Sequence, residues 1–116
     1  MKKLLNSFKY AFQGILYSFN TQRNIRIHFC IAIIILILGT YLHLSNIEWS
    51  LILLTISIVV TGEMINTAIE KTIDLVTEEY KILAKIAKDV AAGAVLISSM
   101  ISIIIGILIF YEKIFK

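Results

Sequence analysis

Proline is absent from this 116-residue chain. Helices can therefore run without the kinks and missing N–H groups that proline imposes. Cysteine occurs once, at Cys30, which excludes an intrachain disulfide and a cysteine-based metal cluster. Cys30 begins an apolar run, where a thiol behaves as a small hydrophobe. Charge is scarce too, with charged residues at 16% and a net charge of +3. So small and local a balance makes nucleic acid a poor partner. Neither a P-loop nor a kinase-type glycine-rich loop is present, which excludes a soluble nucleotide-binding fold. No cleavable signal is expected either. Lys2 and Lys3 resemble a charged start, but Asn6, Ser7, Lys9 and Gln13 interrupt the residues after them. The mature chain is therefore read as the whole chain, one domain over residues 1–116, with no repeat and no low-complexity linker.

What the chain has is apolar length. Hydrophobic residues make up 59% and the mean hydropathy is +0.88, against about 45–50% apolar in soluble domains. Three transmembrane helices are expected, at about 27–44, 48–76 and 86–111, each long enough to cross hydrocarbon. The fold class is all-α integral membrane. Lys2, Lys3, Lys9, Arg23 and Arg26 precede the first span, and Lys71, Lys81, Lys85 and Lys88 fall between the second and third. Only Lys113 and Lys116 lie on the other side. The positive-inside rule then puts the N-terminus and the second loop in the cytoplasm. Tyr41, Trp49 and Tyr111 share the outer interface as an aromatic belt.

Residues 3–20 are of another kind. Leu4, Leu5, Phe8, Phe12, Ile15, Leu16 and Phe19 recur every three or four residues, with Lys9, Gln13 and Asn20 between them. This predicts an amphipathic helix in the cytoplasmic interface. It reads as an anchor first, and as a wall of a surface site second.

The second span carries the residue that most needs a reason. Glu63 lies in an otherwise apolar run from Trp49 to Ile65. A carboxylate at membrane depth costs about 2.5–3.5 kcal/mol on insertion scales, and such groups face a bundle interior and work there. Asn66, Glu70 and Asp74 follow. At about 100° per residue they fall within roughly 60° of Glu63, on one narrow helix face. Glu70 with a second oxygen ligand suits Mg²⁺, which takes few protein ligands and completes its shell with water and phosphate oxygens. Lys88, placed in the first turn of the third span beside free backbone N–H groups, suits a polyphosphate. Glu63 lies deeper, where scarce water suits a carboxylate to general-base work. A metal–phosphate site above a buried base describes phosphoryl transfer to a membrane-embedded hydroxyl.

Plainer readings stand beside these. Glu78 reads as an ordinary solvated helix end. Lys81 and Lys85 equally satisfy the positive-inside rule. His28 and His43 bracket the first span, cluster with no other ligand and read as interfacial. Ser98, Ser99 and Ser102 read as helix-packing groups. Gly93, with Ala91, Ala92 and Ala94, makes a small surface for close helix approach.

The run Glu63-Met-Ile-Asn66-Thr-Ala-Ile-Glu70, then Asp74, Glu79-Tyr80 and Ala87-Lys88-Asp89 with its small-residue continuation, resembles the prokaryotic diacylglycerol kinase family, which includes undecaprenol kinases. The resemblance extends from Tyr10 and Gly14 through the third span. It implies a homotrimer with active sites shared between neighbouring chains, ATP and Mg²⁺, a lipid-alcohol acceptor and the bacterial inner membrane. By resemblance, Glu63 is the general base, Asn66 supports the site and Glu70 ligates the metal. Tyr10, Glu79, Tyr80, Lys81, Lys88 and Asp89 join Glu70 and Gln22 on the nucleotide side, with Lys3 aligned loosely nearby. One position departs from the family: a second metal-binding Glu is replaced by Gln22, whose amide oxygen ligates without charge.

The reaction implied is phosphorylation of diacylglycerol to phosphatidic acid. The alternative acceptor is undecaprenol, giving undecaprenyl phosphate. A small proton-coupled transporter using Glu63 is the remoter reading, since it leaves Glu70 and Lys88-Asp89 without a role. A non-catalytic membrane subunit leaves Glu63 itself unexplained.

Overall fold

The computed structural model describes residues 1–116 and is helical throughout. Helix α1 spans Lys2–Thr21, α2 Arg23–Tyr41, α3 Asn46–Val76 and α4 Ile82–Phe115. The last three are each long and apolar enough to cross a membrane.

The joints explain where each helix stops. Gln22 alone separates α1 from α2, with an extended backbone (φ −109°, ψ 112°). Arg26 braces that corner by donating from Nη1 to the carbonyls of Asn20 (2.9 Å) and Phe19 (3.3 Å). These are among the carbonyls that a helix end leaves without partners. The Phe19 and Phe29 rings meet edge to face, with centroids 5.5 Å apart. The helix of the first span thus starts at Arg23, earlier than the hydrophobic run suggests, because Arg26 is tied to the corner.

At the opposite end α2 stops at Tyr41, and His43 turns the chain with a left-handed φ of 55°. Ser45 then starts α3 through a capping box: Glu48 N–H donates to Ser45 Oγ (3.2 Å) and Ser45 N–H donates to Glu48 Oε2 (2.8 Å). Lys113 of α4 reaches the same place, 3.2 Å from Glu48 Oε2 and 3.4 Å from the His43 carbonyl oxygen it donates to. That clamp accounts for α4 running past Tyr111 to Phe115. Between α3 and α4, Thr77 and Lys81 are extended, and Thr77 Oγ1 accepts from Glu79 N–H (3.1 Å).

Helix α3 is the middle element. It packs against α4 along its length and against α2 on its other side, while α2 and α4 are not neighbours. Ile52, Leu44 and Ile109 form the tightest apolar cluster. Close approach of α2 to the α3 start depends on Gly39, where a Cβ would lie 2.8 Å from Leu44 Cδ1 and from Trp49 Cη2. At Gly93 a Cβ would meet nothing within 4 Å, whereas Ala91 is buried, so the small-residue surface expected there packs within the chain through Ala91 and not through Gly93. Only 12 of 116 residues are buried. The apolar side chains turned outward therefore face lipid or other chains. Helix α1 touches α2 and α3 near its C-terminal end, where Ser18 is buried, and its apolar positions Leu4, Phe8 and Phe12 stay exposed.

Candidate active site

A strip of α3 organises the site. Ile52, Ile56 and Val59 recur every three or four residues and continue into Glu63, Asn66, Glu70 and Asp74. One helix face thus changes from apolar to polar without changing direction. The apolar half floors a groove of about 420 Å³, walled by α2 residues such as Ile31 and Leu38 and by α4 residues such as Ile103 and Phe110. The groove is the space left because α2 and α4 do not pack together.

Glu63 begins the polar strip, one turn beyond Val59, which lines the groove. It is 6% exposed. Its backbone carbonyl accepts from Thr67 Oγ1 (2.9 Å), and no hydrogen bond within the chain ends on its carboxylate. One turn on, Asn66 Nδ2 donates to Glu70 Oε1 (3.2 Å). A carboxylate only accepts, so this bond fixes the amide with Nδ2 toward Glu70. Asn66 Oδ1 is then left buried with no partner. Farther along, Asp74 Oδ1 accepts from Lys88 Nζ (2.7 Å), joining α3 to α4.

Glu63, Asn66, Glu70, Asp74 and Lys88 therefore lie along one seam. The other candidates do not join it. Tyr10 and Tyr80 are 64% and 76% exposed. Glu79 pairs locally with Lys81 (3.3 Å) and Asp89 with Lys85. Gln22 is half-buried at the α1–α2 corner, where its backbone rather than its side chain makes the contacts.

Two expectations are corrected. Lys88 is not in the first turn of its helix: α4 begins at Ile82, so the backbone N–H groups around Lys88 are already inside the helix. Lys88 offers its side-chain charge alone. His28 is not merely interfacial: its Nε2 lies 3.4 Å from Glu63 Oε1, and it lines the inner end of the groove. The one sequence signal for this is register, since His28 falls in line with Ile25 and Ala32, which are buried on α2.

Residues 9–110 match the prokaryotic diacylglycerol kinase family. The chain belongs to that family. It is 45% identical to the undecaprenol kinase of Bacillus subtilis (strain 168) over 113 residues, 97% of this chain and 92% of the relative. It is also 45% identical to a diacylglycerol kinase of Synechocystis over 104 residues, 89% of this chain but 59% of that protein. A diacylglycerol kinase of Helicobacter pylori is 33% identical over 96 residues, 83% of this chain and 75% of its own length. This family member is a lipid kinase, a phosphotransferase with an alcohol acceptor and a nucleotide donor.

Proposed function

We propose that the protein transfers the γ-phosphate of ATP, with Mg²⁺, to the hydroxyl of a membrane lipid alcohol. The observation that carries this reading is Glu63, a buried carboxylate one turn beyond Val59 of an apolar groove and beside His28, which lines that groove. The groove volume of about 420 Å³ falls in the range of small-ligand sites. A lipid tail lying in it brings its hydroxyl to Glu63. There the hydroxyl proton passes to the carboxylate as the oxygen bonds to the γ-phosphorus. The bond from that phosphorus to the bridging oxygen breaks, and ADP leaves. Asn66 is the polar support beside the reacting groups.

Glu70 on the seam would hold Mg²⁺, and Gln22, which stands apart at the α1–α2 corner within one chain, would have to reach it as the second ligand in the assembled site. The donors fit a hard cation: oxygen atoms only, with an unpartnered buried oxygen at Asn66 next to Glu70. No three His, Cys, Asp or Glu side chains of one chain converge on a point, and Mg²⁺ ordinarily needs only one or two carboxylates with water and phosphates. When bound, it neutralises charge on the phosphate oxygens. Lys88 supplies a further positive charge once a polyphosphate competes for it with Asp74.

Tyr10, Glu79, Tyr80, Lys81 and Asp89 complete the nucleotide side in a homotrimer. Their exposure within one chain supports a site closed by a neighbouring subunit. The protein sits in the bacterial cytoplasmic membrane with its N-terminus inside, as the concentration of Lys and Arg at one end of the bundle supports. Diacylglycerol is the first acceptor reading. Undecaprenol is the second, favoured by the near end-to-end overlap with the Bacillus undecaprenol kinase. Transfer from labelled ATP to each lipid, side by side in bilayers, tests both. Transfer to neither lipid would end the lipid-kinase reading for this chain.

A further inference from the structure

His28 has no part in the reaction as proposed, and its position gives it one. Ile25, His28 and Ala32 share the face of α2 turned into the bundle; Ile25 is 1% and Ala32 7% exposed. Packing on both sides fixes where the imidazole stands. Its Nε2 is 3.4 Å from Glu63 Oε1, and the two side chains are 24% and 7% exposed. His28 is the one basic side chain that pairs with Glu63. On α2, Arg26 is turned to the Asn20 and Phe19 carbonyls. On α3, Glu70 is two turns on and engaged by Asn66. On α4, Lys88 is engaged by Asp74.

We propose that His28 is a positioning residue for the general base. The inference rests on the reading of Glu63 as that base. The neutral imidazole carries one N–H and can donate it from Nε2 to Glu63 Oε1. Contacts of this kind are often long before substrate binds and tighten in the reactive complex. One carboxylate oxygen is then held by His28, and the other is left for the lipid hydroxyl. Without that bond the glutamate side chain has no partner to select its rotamer. A neutral donor suits the place, because a lysine or arginine would bring an uncompensated charge into the span when Glu63 takes its proton.

The test uses the full chain in bilayer discs, with turnover measured for Glu63→Gln, His28→Leu, His28→Met, His28→Gln and the double variant Glu63→Gln/His28→Leu. His28→Leu and His28→Met should lower kcat about tenfold, the worth of one oriented hydrogen bond, and leave KM for ATP unchanged. Glutamine can present its amide N–H near the place of Nε2, so His28→Gln should stay within about threefold of wild type. In the Glu63→Gln background, His28→Leu should cause no further loss. Wild-type kcat in His28→Leu or His28→Met, with Glu63→Gln inactive, overturns the role of His28 and leaves the base standing. Equal loss in His28→Gln and His28→Leu also overturns it, since packing and not donation would then be at stake. Activity retained by Glu63→Gln is the separate failure of the base itself, and it removes His28's role with it. If His28→Leu does not assemble, the comparison of His28→Met with His28→Gln decides alone.

Discussion

Replacing Asn66 with alanine should separate stability from activity. Two contributions to stability change, with opposite signs. The bond from Asn66 Nδ2 to Glu70 Oε1 (3.2 Å) is lost. A hydrogen bond to a charged group contributes about 1.5–3 kcal/mol, but Glu70 is only half-buried and water replaces part of that. We take the loss as about 1–2 kcal/mol. Against it, Asn66 Oδ1 is buried without a partner, and removing such an acceptor recovers about 1–3 kcal/mol of desolvation. The two nearly cancel, so Asn66→Ala should unfold within about 1 kcal/mol of wild type. Activity should not cancel. In the proposed reaction the unpartnered oxygen takes a donor or cation that arrives with substrate, and Asn66→Ala also removes the group that orients Glu70. Turnover should fall by about a hundredfold, as for other oriented polar groups at reaction centres. The assays are reversible unfolding in mixed micelles and phosphate transfer from labelled ATP. A stability loss above about 3 kcal/mol would make Asn66 a structural residue. Undiminished turnover would show that Oδ1 faces nothing in the reaction.

Other substitutions test the remaining parts. Glu70→Ala should raise the Mg²⁺ concentration for half-maximal rate and KM for ATP together, because one ion bridges protein and phosphates; an unchanged Mg²⁺ titration would remove Glu70 from the metal site. Gln22→Glu adds charge to an oxygen ligand and should lower the Mg²⁺ requirement, whereas Gln22→Leu should raise it. If neither moves the titration, residue 22 is not a ligand. Gly39→Ala brings a Cβ to 2.8 Å from both Leu44 and the rigid Trp49 ring. Overpacking costs about 1–3 kcal/mol, offset by up to about 1 kcal/mol of helix propensity, so the protein should lose about 1–2 kcal/mol. Gly14→Ala meets nothing within 4 Å and is the control, expected to be neutral or stabilising in the same unfolding assay.

The spans were legible because apolar runs without proline leave a helix few other options in a membrane. Glu63 was legible for the converse reason: a lone carboxylate in such a run is costly enough to demand a role. Its alignment with Asn66, Glu70 and Asp74 came from helix periodicity alone. What periodicity could not reveal was which helix faces which. His28 meets Glu63 across two helices, and nothing local to either residue announces it. The turn in which Lys88 sits depended on where α4 starts, and the Thr77–Lys81 segment sets that start through backbone conformation rather than hydropathy. Gly39 has its reason in Trp49, ten positions later and on another helix. Closure of the nucleotide side, as proposed, belongs to a second chain, so the exposed Tyr10 and Tyr80 carry no local mark of it.

The gap between α2 and α4 has a consequence for how the reaction is supplied. A groove whose walls do not touch is open along its side, toward the hydrocarbon, and not only at its mouth. An acceptor using it never leaves the bilayer. It arrives by lateral diffusion in two dimensions, so the quantity that saturates the site is its mole fraction among the lipids. Diluting the acceptor with inert lipid should slow turnover even when its amount per volume of suspension is held fixed. Adding more vesicles of the same composition should not change turnover per protein. The nucleotide, arriving from water, obeys ordinary concentration, and the two substrates are thus metered on separate scales by one helix face.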